Sequence, residues 1–154
     1  MIADQIDRET WEQPGWTIAE HTSNGPQPWD QTKYIVLHYT AASSTPDSFD
    51  QVEAYIQAMQ RDYVSNRGYS LGYNWCVDRH GRIWEIRGAD YRCAANGNSD
   101  LNRCGPAILC LVNGKDAANQ AMIDSVNKTI ATIYTAIGHP VDVVGHYQLK
   151  PTAC

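Results

Sequence analysis

Apolar positions along this chain fall into two rhythms, and the boundaries between them predict the elements. Tyr34-Ile35-Val36-Leu37, ending at His38, is a short continuous apolar run bounded by polar residues, so Lys33 to His38 reads as a buried strand. Ala107 to Val112 is a near-continuous apolar strand of the kind found where a sheet is covered on both faces. Val141 to Val144 is a third, and it delivers His146 to the sheet edge. Tyr73–Val77 and Arg82–Ile86 alternate in part, and Asp78-Arg79-His80-Gly81 between them makes a hairpin turn. The helical rhythm appears twice. Pro46 with Asp47 or Ser48 opens a helix over roughly 48–63, with Val52, Tyr55, Ile56, Met59 and Tyr63 at helical spacing. A longer one runs from about Ala117 to Ile137, with Ile123, Val126, Ile130, Ile133 and Ile137 as its apolar face and Gly138 as its stop.

Two stretches lack either rhythm. Residues 88–105 form a long loop carrying Asn96-Gly97-Asn98-Ser99-Asp100. Residues 1–32 hold Trp11, Trp16 and Trp29 with Pro14, Pro26 and Pro28, and read as an N-terminal arm that wraps the core, with one short strand near Trp16–Ile18. The alternation of strands and helices over 33–154 predicts an α/β fold with a central mixed β-sheet of about five or six strands flanked by helices. Residues 1–154 are expected to form a single domain.

Composition narrows the function classes. With 43% hydrophobic and 19% charged residues the chain is globular in type. A net charge of −5 argues against nucleic acid as a partner, which would need clustered Lys and Arg. No stretch is long or apolar enough for membrane insertion. The acidic start, Met1 to Glu9, lacks the apolar core of a signal peptide, so synthesis in the cytoplasm and exit by another route are expected.

The candidate chemistry lies in imidazoles and thiols. His38 and His146 each follow an apolar strand, and Cys154 closes the run Gly145-His146-Tyr147-Gln148-Leu149-Lys150-Pro151-Thr152-Ala153-Cys154. Two imidazoles and one thiolate suit Zn²⁺, and a three-residue ligand set leaves a position open, which marks a catalytic rather than a structural zinc. Cys76 and Cys110 sit in apolar runs and are expected to be reduced and buried. Cys93 and Cys104 flank a polar loop, where a disulfide competes with free thiols. His21, His80 and His139 are expected to meet solvent, and Trp75 and Trp84 to be core.

Three segments resemble the zinc-dependent N-acetylmuramoyl-L-alanine amidases of the phage endolysin and peptidoglycan-recognition-protein superfamily. They are Ile35-Val36-Leu37-His38-Tyr39-Thr40-Ala41; Leu71-Gly72-Tyr73-Asn74-Trp75 with Asp78-Arg79-His80-Gly81-Arg82-Ile83-Trp84-Glu85; and Gly145-His146 through Pro151-Thr152-Ala153-Cys154. The likeness runs in order over residues 33–154 and leaves 1–32 unexplained. It implies that His38, His146 and Cys154 bind zinc and that Tyr73 and Thr152 face the scissile bond. Some branches of that family carry an acid where this chain has Cys110, and relatives often have a pocket His where it has Cys93.

The implied reaction is hydrolysis of the amide between N-acetylmuramic acid and L-Ala of peptidoglycan. Zinc would lower the pKa of water and polarise the carbonyl, and the Tyr73 and Thr152 hydroxyls would stabilise the oxyanion. The resemblance further implies a bacteriophage endolysin that acts on the bacterial cell wall, excised from a longer protein with a separate wall-binding domain C-terminal to this chain. The competing readings are a peptidoglycan receptor without turnover and a zinc peptidase that cuts within the stem peptide. The loop Asn96 to Asn102 is expected either to contact glycan or stem peptide or to be solvated.

Overall fold

Burial of the apolar runs dictates the layering. The computed structural model describes residues 2–40, 42–152 and 154; Ala41 and Ala153, which belong to the quoted motifs, and Met1 lie outside the described residues. The strands are β1 (Tyr34–Tyr39), β2 (Trp75–Val77), β3 (Ile83–Glu85), β4 (Ala107–Cys110) and β5 (Asp142–Gly145), in the spatial order β3-β2-β4-β1-β5. Only β2 and β3 pair antiparallel; β2–β4, β4–β1 and β1–β5 are parallel. The sheet is therefore mixed, and α/β with helices on both faces, as the sequence rhythm predicts.

Successive strand residues point to opposite faces. On one face Ile35, Trp75, Val77, Ile83 and Ile108 pack against Met122, Val126 and Ile133. These last three belong to α5 (Gln120–Ile137), which Asn119 caps at its start and Gly138, at φ 71°, ends. Met122, Val126, Thr129 and Ile133 are the buried residues of that helix, whereas Ile123, expected on its apolar face, is 41% exposed. The buried stripe runs through Met122 and Thr129 because Thr129 satisfies its hydroxyl on the Ser125 carbonyl and so tolerates burial. On the other face Cys76, Trp84, Leu109 and Leu111 pack against Val52 and Ile56. These belong to α3 (Phe49–Arg67), capped by Ser48 through a reciprocal bond with Gln51 and ended by Gly68 at φ 75°.

The arm differs from expectation. Residues 16–18 form no strand; Thr17 caps a short helix α2 (Ile18–His21) through a capping box with Glu20. A first short helix, α1 (Arg8–Trp11), precedes it, and Trp11 and Ile18 are buried in the α3-side core. The long loop 88–105 contains α4 (Ser99–Cys104), capped by Asn98. The last helix, α6 (His146–Leu149), follows β5 directly. All five cysteines are free thiols, so the disulfide alternative for Cys93 and Cys104 does not hold. The Cys93 thiol instead contacts the Gly105 carbonyl at 3.2 Å inside the loop. His21, His80 and His139 hydrogen-bond Gly15, Asp47 and Thr32 respectively rather than meeting solvent alone. Trp75 and Trp84 are core, at 4% and 0% exposure.

Candidate metal centre

Parallel pairing of β1 with β5 brings two histidines from opposite ends of the sequence to the same carboxyl-terminal edge of the sheet. In register, Leu37 lies opposite Gly145, so His38 and His146 emerge side by side with ring centroids 4.5 Å apart. His38 is 3% exposed. The chain returns from α6 so that Cys154 Sγ lies 3.5 Å from His38 Nδ1 and 3.4 Å from the Tyr39 backbone nitrogen, which donates to it. Ligand atoms of His38, His146 and Cys154 all lie within 4.8 Å of one another.

The electrostatics suit a cation. Burial drives the His38 pKa down from its ordinary 6.5 to about 4, against the opposing pull of its hydrogen bond to Asn96, so the ring is neutral. Burial likewise lowers His146. The Nε2 atom of His146 is buried with no hydrogen-bond partner among the described residues, which leaves it free to meet a bound group. Burial raises the Cys154 thiol and the Tyr39 N–H opposes it. Two neutral imidazoles and a thiol facing one point form a donor set that fits Zn²⁺.

A cleft of about 410 Å³ opens over this cluster, lined by His38, His146, Cys154, Tyr73, Tyr63 and Thr152. The Tyr73 ring meets His38 edge-on at 5.2 Å. Burial, more than its hydrogen bond with Tyr63, raises the Tyr73 phenol, which therefore stays protonated and able to donate. Thr152 is exposed at the cleft mouth. No carboxylate occurs among the described residues that line this cleft. Cys110, on the opposite sheet face, is held as a thiol by burial, with its pKa pushed up to about 11, and supplies no base at neutral pH.

The cleft continues into a second, polar cavity of about 570 Å³ that shares Tyr63, Arg67 and His146 with it and adds Arg92, Asn98 and Asn102. Arg67 stacks over Tyr63, its guanidinium carbon 4.2 Å from the ring centroid. Sequence reading took Tyr63 only as helix packing and did not single out Arg67; no local pattern marks them, because the fold alone turns the end of α3 toward the cleft. Asn96, read as one of a polar loop, is fully buried against His38.

A five-stranded mixed sheet with a His–His–Cys cluster at its carboxyl-terminal edge defines a class of α/β protein whose residues could hold a metal ion. Within it, residues 28–154 match the family described as N-acetylmuramoyl-L-alanine amidase, and the chain belongs to that family. No curated protein sequence matches the chain. Its fold is similar to that of bumblebee PGRP-SA (TM-score 0.81, 18% identity, covering 96% of this chain and 85% of that one). It is similar also to human PGRP-IBETAC, solved with glycosamyl muramyl pentapeptide (TM-score 0.79, 17% identity, covering 97% and 88%). Wild-type Drosophila PGRP-LB gives a TM-score of 0.75 at 21% identity, covering 97% and 86%.

Proposed function

We propose that the chain is a zinc-dependent amidase that cleaves the bond between N-acetylmuramic acid and L-Ala of peptidoglycan. The observation that carries this reading is the convergence of His38, His146 and Cys154 in one cleft with the hydroxyls of Tyr73 and Thr152. Zinc held there would supply Lewis acidity toward an amide carbonyl and water. The chain's own residues do the rest. His38 and His146, kept neutral by burial, offer nitrogen lone pairs, and Cys154 adds a sulfur whose charge is steadied by the Tyr39 N–H. The protonated Tyr73 phenol donates to the oxygen that gains charge in the tetrahedral transition state, and Thr152 reaches the same space from the mouth. The adjoining cavity, with Arg67 and Arg92 in its lining, accepts an acidic stem peptide despite the chain's net charge of −5. We place its action at the bacterial cell wall, as a phage-type lytic enzyme.

The neighbours solved with peptidoglycan fragments support binding as the coarser reading, in which the fragment is held and not cut. One experiment separates the readings. Purified protein incubated with cell walls is expected to release free N-terminal L-Ala without reducing sugar, to stop when chelated and to recover with Zn²⁺. Cys154→Ser is expected to lose both zinc and turnover. Wall binding without release of L-Ala would establish the receptor reading, and new termini within the stem peptide the peptidase.

A further inference from the structure

Asn96 lies between the His38 imidazole and the loop that carries it, and is 0% exposed. Its Oδ1 is 2.9 Å from His38 Nε2. The amide orientation is fixed from its other end, where Nδ2 donates to the Gly105 carbonyl at 2.9 Å and the Leu101 carbonyl at 3.3 Å. Turned over, it would set an oxygen against two carbonyl oxygens. An amide oxygen only accepts, so His38 must carry its proton on Nε2. In the neutral ring that leaves the lone pair on Nδ1, the atom that faces Cys154 Sγ at 3.5 Å. The His146 ring lies next to His38, with centroids 4.5 Å apart, so the ring that Asn96 orients is the one that faces the second imidazole. The Asn96 backbone N–H is tied to Asn102 Oδ1 at 2.8 Å. A single loop residue thus grips the buried ligand ring of His38 and is itself held by the loop.

We propose that Asn96 is the positioning residue of the metal centre: it selects the Nε2–H tautomer of His38 and so presents Nδ1 to the ion. This rests on the zinc reading above. Partners of this kind, when removed, lower metal affinity by about 10–100-fold.

The test pairs the wild-type protein with Asn96→Ala. Long-range nitrogen–proton spectra of the wild-type histidines, with and without Zn²⁺, are expected to show His38 protonated on Nε2 in both states. Asn96→Ala, with its folding checked in the metal-free form, is expected to bind Zn²⁺ about 10–100-fold more weakly and to show mixed His38 tautomers without metal. A wild-type His38 protonated on Nδ1 overturns the proposal, as does a folded Asn96→Ala that binds Zn²⁺ like wild type. Should the variant not fold, the wild-type spectrum alone decides. Zinc uptake by wild type separates the two possible failures: no uptake overturns the metal reading, whereas uptake with an unaffected Asn96→Ala overturns this one.

Discussion

Burial sets the protonation state of each side chain in the cleft, and with it the pH response. His38 titrates near 6.5 when unfolded and at about 4 in the folded protein. Between those values the unfolded chain binds more protons, so stability of the metal-free protein rises with pH across the window. Lowering the pH from about 6.5 to 4 is therefore expected to cost on the order of 3 kcal/mol, with little further loss from this group below that. The lowered His146 adds in the same sense. Melting of metal-free protein across that range checks the sign; a flat profile would contradict a neutral buried His38. Tyr73→Phe, which keeps the ring against His38 and removes only the hydroxyl, is expected to fold, to bind zinc and to turn over at least about tenfold more slowly. An unchanged rate would assign Tyr73 to packing. His38, His146 and Cys154 could be singled out from sequence because imidazole and thiol are chemically distinctive and two of them follow apolar strands. Asn96 could not, because an amide in a polar loop acquires a role only when the fold buries it against a histidine.

At the scale of elements, caps and turns decide where the rhythm stops. The β2–β3 hairpin turns on Asp78, whose side chain is completely buried. Its Oδ1 accepts from the His80 and Arg82 backbone, and its Oδ2 from Arg82 Nε at 2.5 Å and Trp84 Nε1 at 2.9 Å. Asp78→Ala leaves the buried Trp84 indole N–H unpaired and takes the acceptor from Arg82 Nε, while Arg82 keeps its bond to the Asp47 carbonyl, and is expected to cost about 2–3 kcal/mol in urea unfolding. A loss below about 1 kcal/mol would show that the turn holds without it. The long helices were legible from period, and the strands from apolar runs or partial alternation, since each carries enough apolar residues to show it. The helices at 18–21 and 99–104 were not, because each is too short to display a period. Thr17 with Glu20, and Asn98 ahead of Ser99, were the available capping signals.

The whole molecule is more than the segment that carries the family match. Residues 28–154 match the family, yet Trp11 and Ile18, upstream of it, are 1% and 0% exposed in the α3-side core. Trp11 donates from Nε1 to the Glu85 carbonyl at 2.8 Å, and its own carbonyl accepts from Gln57 at 2.9 Å, so the arm ties β3 to α3. Trp11→Ala is expected to destabilise the protein by about 3–5 kcal/mol in denaturant unfolding. A change within about 0.5 kcal/mol would reduce the arm to a surface feature.

The position of β5 has a consequence for how fast an ion can leave. That strand is bound on one side only, by β1, and Asp142 and Val143 are open to solvent. His146 begins just where it ends, so fraying of this outermost strand would swing one donor away while His38, anchored between β4 and β5, stays put. Escape of the ion should then keep pace with the opening of a strand. Deuterium uptake at residues 142–146 that slows sharply on adding Zn²⁺, while the β1 amides barely change, is the signature such a latch would leave.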